Sequence, residues 1–182
     1  MKIKSENTVT TRKNASLPLR TLIKGGYLNK RDRILDYGCG NGEDVKWLKR
    51  KKYRATGYDR YQEGYKKDPE GLFDVVLMIY VVNVVGTPDE RTLAVREAWG
   101  AVKPGGCLFI ASRTAEEIDV LAKSRGWRRL GDGYVSSDER CTFQKGHTLQ
   151  QLYELAQPLM HVEAISLAGR FTSLLLSKRR WT

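Results

Sequence analysis

Short apolar runs alternate along the chain with segments in which apolar residues recur every three or four positions. The short runs predict strands at 33–37, 53–59, 73–82 and 107–112, and the segments between them predict helices. The run at 73–82 is apolar on both faces, which is typical of a strand buried between two layers of helices. The alternation therefore predicts an α/β fold built on a mostly parallel sheet.

Capping and stop signals set the limits of the helices. The sequence TPDE at 87–90 combines a capping threonine with proline at the first helical position, and Thr114 and Thr148 each precede Glu or Gln by three residues. Gly25 and Gly126 stand where two helices are expected to end. The predicted helices span 16–24, 43–52, 87–102, 114–126 and 148–157.

The remaining segments carry weaker patterns. The first fifteen residues are polar and predict an irregular or mobile segment, and 127–147 also predicts an irregular stretch. Two apolar runs near 162–167 and 171–178 predict an antiparallel hairpin around Gly169. Because 182 residues lie within the usual size of one domain, we expect a single domain over residues 1–182.

The most informative segment is LDYGCGNG at 35–42, between the first predicted strand and the next helix. Glycines let the backbone turn sharply and approach a ligand closely. The spacing is G-x-G-x-G, and Glu43 stands where the dinucleotide-binding pattern G-x-G-x-x-G requires its last glycine. Asp36, Glu43 and Asp44 would repel a pyrophosphate, so this turn favours a phosphate-free ligand that carries an ammonium group.

S-adenosylmethionine has these properties, since it has no phosphate, one sulfonium and an amino-acid end. Asp59 ends the second predicted strand, 17 residues after Gly42, where a carboxylate can bind both hydroxyls of a ribose. A tight turn without any ligand is the alternative for a glycine motif alone. The combination of Asp36, the glycine spacing and Asp59 disfavours that alternative.

With these residues the chain resembles the class I S-adenosylmethionine-dependent methyltransferases over nearly its whole length. LDYGCGNG is similar to the family's first motif, GYDRY to its second, FDVVLMIYVVNVV to its fourth strand, and AVKPGGCLFIAS to the helix, turn and strand that follow. TRKNASLPLR, YVVNVV, GDGYVSS and CTFQKGHTLQQL further resemble the short methyltransferase-like proteins associated with DNA phosphorothioation. The resemblance implies a Rossmann-like class I methyltransferase fold with an antiparallel C-terminal hairpin.

The resemblance also implies which residues contact the cofactor, S-adenosyl-L-methionine. The implied contacts are Asp36, Tyr37, Gly38, Cys39, Gly40, Asn41, Gly42, Asp59, Arg60 and Tyr80. Only 14 residues separate Asp59 from Asp74, so the family's third strand and its adenine-contacting acid look shortened or absent. Asp68 is the candidate replacement for that acid.

Methyl transfer from a sulfonium requires a positioned acceptor and, for some acceptors, a base. The segment after the fourth strand lacks the Pro-Pro-aromatic motif of exocyclic-amine methyltransferases, and no Pro-Cys nucleophile is present, which disfavours both chemistries. Tyr80 and Asn83 are the catalytic candidates, with packing and capping as the alternatives. Gln144, Lys145 and Arg113 are the candidates for contacting the substrate.

Three further residues have two interpretations each. His147 is a candidate base, and the alternative is a structural role before a helix cap. Arg12 and Lys13 are candidates for binding the carboxylate of the cofactor, and the alternative is a mobile basic tail.

The charge adds a prediction about partners. The chain has 32 Lys and Arg against 21 Asp and Glu, a formal net charge of +11, and its basic residues form clusters. Because the predicted cofactor turn is itself acidic, the positive excess is expected to act elsewhere, and DNA or RNA is the simplest polyanionic partner. A solvated basic surface is the alternative.

Composition also predicts the setting of the protein. Three cysteines without a C-x-x-C pair favour neither disulfides nor a zinc site, and no metal is expected. The longest apolar stretch is shorter than the roughly 20 residues that cross a bilayer, and the N-terminus lacks a secretion signal, so we expect a cytoplasmic protein without a membrane partner. The sequence makes no prediction about oligomeric state.

The predicted function is S-adenosylmethionine-dependent methyl transfer to nucleic acid or to a modified nucleobase. A methyltransferase for a small molecule is one alternative. A non-catalytic nucleic-acid-binding subunit that retains the fold is the other.

Overall fold

The computed structural model describes residues 2–157, 163–165 and 170–178. Its helices are α1 Leu17–Lys24, α2 Glu43–Arg50, α3 Pro88–Gly100, α4 Ala115–Arg125 and α5 Leu149–Ala156. Its strands are β1 Arg33–Tyr37, β2 Arg54–Tyr58, β3 Phe73–Ile79, β4 Val102–Ser112, β5 Arg128–Leu130, β6 Gly133–Ser137, β7 Thr142–Gln144, β8 Glu163–Ile165 and β9 Thr172–Ser177.

Six strands form the main sheet in the order β2-β1-β3-β4-β9-β8. The strands β2, β1, β3 and β4 are mutually parallel, whereas β9 pairs antiparallel with both β4 and β8. This arrangement confirms the mostly parallel sheet and the antiparallel C-terminal pair that the sequence predicts. The expected turn around Gly169 lies outside the described residues.

Helices cover both faces of the sheet because alternate strand residues point to opposite sides. On one face, Leu35 and Met78 belong to an apolar cluster with Val95 of α3 and Leu152 of α5. On the other face, the strand residues pack with Leu19 and Leu22 of α1 and with Val45 and Leu48 of α2. Both faces of β3 are therefore buried, as its sequence predicts.

The predicted helix starts are confirmed, but only one of them is a complete capping box. Thr148 accepts the N–H of Gln151, and the Gln151 side chain accepts the N–H of Thr148 in return. Thr87 and Thr114 accept a backbone N–H in the same way. At the α4 start, however, the Glu117 carboxylate accepts from Arg113.

The family's third strand is absent from the described part of the chain, and β2 is therefore an edge strand. Residues 59–72 contain only a 3-10 helix, Glu63–Tyr65. The Tyr65 ring lies against Gly57 and Gly42, and its carbonyl accepts the N–H of Asp59 at 3.0 Å. The ring of Tyr65 therefore packs against both the end of β2 and the glycine turn.

The segment 127–147, predicted to be irregular, instead forms an antiparallel sheet of β5, β6 and β7. The prediction was wrong because these strands have three to five residues and little apolar alternation: RRL, GYVSS and TFQ. Strands this short form through pairing with one another, and propensity within each segment says little about pairing.

Residues 2–16 contain a 3-10 helix at Ser5–Thr8 and otherwise no helix or strand. They nevertheless pack against the rest of the protein. The Lys4 N–H donates to the carbonyl of Cys141 at 2.9 Å, and Asn7 donates to the carbonyl of Arg140 at 2.8 Å. The sequence suggested an irregular or mobile segment here, and the structure shows one held by defined bonds.

Among the described residues, no helix has the length and apolar character needed to span a membrane.

Replacing Gly42 by alanine is expected to lower the free energy of unfolding by about 3 kcal/mol. Gly42 has φ +72°, and an added Cβ would overlap the Tyr65 hydroxyl, so conformational strain and overpacking add together. Gly126→Ala is the matched control, because Gly126 has φ +62° with nothing within 4 Å of an added Cβ. The control should lower the free energy of unfolding by only about 1 kcal/mol, as measured by urea titration. Equal losses for the two variants would contradict the role of Tyr65.

Candidate active site

A cavity of about 620 Å³ opens at the carboxyl ends of the parallel strands. Its walls include Tyr37 at the end of β1, Asp59 after β2, Tyr80 after β3 and Arg113 after β4. Residues from the N-terminal segment, among them Ile3 and several in the range 5–12, form a further wall. The carboxyl edge of a parallel sheet is where ligands of such folds bind, and the volume lies within the ~300–1,000 Å³ of small-molecule pockets.

The turn between β1 and α2 forms one wall through its backbone. Gly38 and Gly40 have φ +74° and +55°, a region that L side chains rarely adopt. A Cβ on Gly38 would lie 2.5 Å from Cγ2 of Val81, and one on Gly40 would lie 3.1 Å from Cγ1 of Val9. The turn therefore requires both glycines for conformation and for space.

Asp59 links this turn to the end of β2. Its Oδ2 accepts the N–H of Gly40 at 2.8 Å, and its Oδ1 accepts the N–H of Tyr61 at 3.0 Å. The carboxylate is nearly buried and lines the cavity. Two backbone donors thus fix the orientation of a carboxylate that faces the ligand space.

Two further carboxylates lie close to the turn. Asp36, 4% exposed, does not line the cavity, and burial together with the Asp44 charge raises its pKa well above the usual value, although Arg12 opposes this shift. Asp44 accepts the N–H of Ser16 at 2.7 Å and the Arg12 guanidinium at 3.2 Å. The first turn of α2 thereby anchors the N-terminal segment.

Arg12 lines the cavity, and its buried Nε has no hydrogen-bond partner within the described part of the chain. A buried donor without a partner costs about 1–3 kcal/mol, and more when it is charged. The Nε of Arg12 is therefore available to an acceptor on a ligand.

Tyr37 and Arg60 line the cavity but also bind each other and Glu97. The Tyr37 hydroxyl and the Arg60 guanidinium both donate to the Glu97 carboxylate. Burial and the bond to Glu97 raise the pKa of Tyr37. These side chains form a wall rather than a group of free charges.

The cavity walls also contain Tyr80, Asn83 and Gln144. Tyr80 has φ +59°, a strained conformation for a residue other than glycine, and burial raises the pKa of its hydroxyl. Asn83 is buried and its Nδ2 donates to Oε1 of Gln144 at 3.2 Å, whereas its Oδ1 has no partner within residues the structure describes. The side chains of these three residues thus present two amides and a phenol hydroxyl on the cavity walls.

Lys145 lies outside the cavity walls, unlike the neighbouring Gln144. Its ammonium group forms an ion pair with Asp132 at 3.3 Å, and Asp132 also pairs with the buried Arg91. Asp132, in the turn between β5 and β6, is thus bound both to Lys145 and to Arg91 of α3. Arg113 does line the cavity, where it pairs with Glu117.

Most of the residues predicted for the site are brought together. The cavity walls contain Tyr37, Gly38, Cys39, Gly40, Asn41, Asp59, Arg60, Tyr80, Asn83, Arg113 and Gln144. Asp36, Gly42 and Lys145 lie outside the walls. Asp68, the candidate adenine-contacting acid, is also outside, and its charge adds to the effect of burial in raising the pKa of Tyr58.

Sequence reasoning missed the contribution of the residues before Arg12 and of Tyr61. The early segment has no periodic pattern, so nothing in its sequence indicates that Ile3 packs over Gly86 and Val9 over Gly40. Tyr61 directly follows the GYDR segment and could have been found from its position beside Asp59.

A family model described as "Methyltransferase domain" matches residues 10–157, well over half of the chain. The chain belongs to the methyltransferase-domain family. No curated protein sequence matches it. The family model thus identifies a methyltransferase domain over most of the chain.

Solved structures agree on the fold. A SAM-dependent methyltransferase from Methanosarcina mazei is 19% identical, with a TM-score of 0.65, and the match covers 92% of this chain and 100% of that one. A Clostridium acetobutylicum methyltransferase is 11% identical, with a TM-score of 0.63 and coverage of 90% and 89%. The Burkholderia thailandensis 1,6-didemethyltoxoflavin-N1-methyltransferase is 16% identical, with a TM-score of 0.59 and coverage of 88% and 76%.

The residues of this methyltransferase fit S-adenosylmethionine, the cofactor that the sequence resemblance implies. The glycine turn contributes Gly38, Cys39, Gly40 and Asn41 to the cavity walls, and Asp59 presents an oriented carboxylate at the end of β2. The buried Nε of Arg12 lacks an acceptor, and burial disfavours the charge of Asp36 until a cation approaches. When bound, S-adenosylmethionine supplies an electrophilic methyl group.

In the described ranges, no group of three or more His, Cys, Asp or Glu side chains is arranged to hold a metal ion.

His147 lies outside the cavity walls of the methyltransferase and is 2% exposed. Its Nδ1 is 2.8 Å from the Ser112 hydroxyl. Burial, with the charges of Lys145 and Arg91, lowers its pKa to about 3, so the ring is neutral at physiological pH. The geometry supports the structural interpretation of this histidine.

Stability is therefore expected to fall with acidification through His147. The folded pKa of about 3 lies below the unfolded value of 6.5, so the unfolded chain binds the proton first. This contribution is intact above pH 6.5 and decreases by about 1.4 kcal/mol for each pH unit between those limits. Urea titrations at several pH values give the free energy of unfolding as a function of pH. Between pH 6.5 and 3 this free energy should change less steeply with pH in His147→Gln than in the wild type. Identical slopes would contradict a buried neutral histidine.

Proposed function

We propose that this methyltransferase binds S-adenosylmethionine between the glycine turn and Asp59 and methylates a small polar acceptor held at Tyr80, Asn83 and Gln144. The observation that carries the acceptor proposal is Oδ1 of Asn83, a buried acceptor atom on a cavity wall without a partner in the described chain. Such an atom is satisfied by an N–H or O–H donor of the substrate.

The nucleoside end of the cofactor is assigned to Asp59. Its carboxylate retains lone pairs beyond the bonds from Gly40 and Tyr61, and a carboxylate at the end of the second strand can accept both ribose hydroxyls. Tyr61 and Arg60 line the same end of the cavity. Asp68 has no part in this assignment, because it lies outside the cavity.

The amino-acid end is assigned to the opposite side of the glycine turn. Arg12 offers an unpartnered Nε to a carboxylate, and an ammonium group near the buried Asp36 would favour the ionised form of that carboxyl, which burial alone disfavours. The two charges are complementary to a zwitterion. Because Arg12 belongs to the N-terminal segment, this proposal makes that segment part of the cofactor site.

Methyl transfer in this cavity would be promoted by positioning of the acceptor rather than by a strong base. Burial raises the pKa of Tyr80, so its hydroxyl stays protonated at neutral pH and acts as a hydrogen-bonding group. An activated methyl donor requires chiefly that the acceptor atom is aligned with it. Tyr80 and Asn83 are therefore proposed to orient the acceptor.

The charge of the cavity favours a small acceptor over a polyanion. Among the described residues, its walls contain four arginines and five carboxylates: Arg12, Arg60, Arg113 and Arg170 against Glu6, Glu43, Asp59, Glu90 and Glu117. Three of the arginines are already in ion pairs. One structural relative is named for a small molecule, 1,6-didemethyltoxoflavin, which is consistent with such an acceptor in this fold.

Nucleic acid, or a modified base within it, is the second candidate acceptor. The net charge of +11 favours it, as does the sequence resemblance to the proteins associated with DNA phosphorothioation. That subtype and a cytoplasmic location remain predictions from the sequence.

Asp59→Ala is expected to weaken binding of S-adenosylmethionine by roughly 10- to 100-fold, since hydrogen bonds to a charged group contribute about 1.5–3 kcal/mol. Titration calorimetry measures the affinity directly. The matched control is Asp68→Ala, which removes a nearby carboxylate from outside the cavity and should leave affinity within about twofold. Equal effects of the two variants would contradict the assignment of the ribose to Asp59.

The acceptor class is tested by incubating the enzyme and radiolabelled S-adenosylmethionine with a cell extract lacking the protein, then separating nucleic acid from small molecules. After unreacted S-adenosylmethionine has been removed by chromatography, we expect enzyme-dependent label in a product of the small-molecule fraction. Asn83→Ala should reduce that labelling at least tenfold, because it removes a hydrogen bond to the acceptor, while cofactor affinity stays unchanged.

Thermal melts check that the Asn83 variant remains folded. Label recovered in the nucleic-acid fraction would overturn the small-molecule proposal and establish the second candidate. Labelling of small molecules that is unaffected by Asn83→Ala would remove Asn83 from the acceptor site.

A further inference from the structure

A second charged feature lies at the opposite edge of the sheet from the cavity. Eight exposed basic residues surround the starts of β1 and β2 and the end of α2, and we call this surface the basic edge. Its members are Lys30, Arg31, Arg33, Lys49, Arg50, Lys51, Lys52 and Arg54. The parallel strands run away from this edge, so a five-residue strand separates it from the cavity by roughly 16 Å.

None of these eight side chains forms an ion pair with a carboxylate of the described chain. The acidic residues nearby are already engaged, since Asp74 pairs with Lys103 and Glu70 with Lys67. Asp32 accepts the N–H of Asn29 at 2.7 Å. The basic edge thus carries uncompensated positive charge, in contrast to the paired arginines of the cavity.

A separate cavity of about 330 Å³ opens within this edge. Arg33, Lys49 and Arg54 line it together with the hydroxyl-bearing Tyr53 and Thr56, and no carboxylate is among its lining residues. The Arg33 guanidinium is held 5.0 Å above the Phe73 ring and donates to the carbonyl of Glu70 at 2.9 Å. Three cations with two hydroxyls form a suitable lining for phosphate oxygens.

The fold forces two of these charges together. Arg33 and Arg54 are register partners on the neighbouring parallel strands β1 and β2 and line the same cavity, so their like charges repel each other. Because the third strand is absent from residues 59–72, β2 is the edge of the sheet, and one side of its backbone pairs with no strand of the described chain. A bound polyanion would relieve the repulsion and meet both cationic side chains and backbone N–H groups.

We propose that the basic edge binds the phosphate backbone of nucleic acid, at a site separate from the methyl-transfer cavity. The uncompensated charge, the acid-free cavity and the open edge of β2 all favour a polyanion longer than a single phosphate. Binding there does not depend on which acceptor the enzyme methylates. It would hold the enzyme on nucleic acid whether or not the acceptor belongs to that nucleic acid.

The test measures binding of a labelled mixed-sequence DNA duplex of about 20 base pairs by fluorescence anisotropy between about 50 and 200 mM salt. Lys49→Ala/Arg54→Ala should weaken binding at least tenfold at low salt and reduce the slope of log affinity against log salt by about 1.8, since each phosphate contact contributes about 0.9. The full-length protein is used without cofactor, so the result is independent of methyl transfer.

The matched control is Lys13→Ala/Arg96→Ala, which removes two exposed cations that lie outside the basic edge and form no ion pair within the described residues. Its net charge equals that of the first variant, so a general effect of charge would appear in both. The control should retain wild-type affinity and salt slope. Circular dichroism melts confirm that both double variants are folded.

Three outcomes would overturn the proposal. The first is no salt-dependent binding of the duplex by the wild-type protein. The second is equal loss of binding in the two double variants, which would show a diffuse charge effect. The third is inorganic phosphate binding as tightly as the duplex with the same dependence on Lys49 and Arg54, which would make the cavity a site for small anions.

Discussion

The turn from β1 to α2 is the constraint on which the rest of the structure depends. Its backbone adopts left-handed conformations at Gly38, Gly40 and Gly42, each in contact with another segment of the chain. Those contacts come from after β3, from the N-terminal segment and from the 3-10 helix that replaces the third strand. A side chain at any of the three positions would push apart the elements that form the cavity.

Topology also decides where the charge lies. Each helix that follows a parallel strand runs back along the sheet, so helix N-termini gather at the cavity edge and helix C-termini at the other. Acidic residues favour N-termini and basic residues favour C-termini because of the helix dipole. Glu43, Glu90 and Glu117 accordingly line the cavity, whereas Lys49 and Arg50 in the last turn of α2 lie at the basic edge. The protein is therefore electrically polarised along its strands.

This polarity changes the interpretation of the net charge. From the sequence, the positive excess was expected to serve a polyanionic acceptor. In the structure, the basic clusters around the starts of β1 and β2 are separated from the methyl-transfer cavity by the length of the sheet. The excess positive charge therefore belongs to a docking surface, whereas the methyl-transfer cavity is small and has nearly equal numbers of positive and negative side chains.

Much of the fold and part of the site follow from local sequence alone. Three features depend on residues close together in the chain, so the period and spacing of those residues predict them. They are the alternation of strands and helices, the caps at Thr87, Thr114 and Thr148, and the glycine turn with Asp59. The short strands β5 to β7 depend on pairing with one another, which no single segment encodes. The same holds for the separation of Lys145 from Gln144, because the two adjacent side chains face different surroundings. Only tertiary packing brought the N-terminal segment onto the glycine turn, since Asp44 and Arg12 are 32 positions apart in the chain.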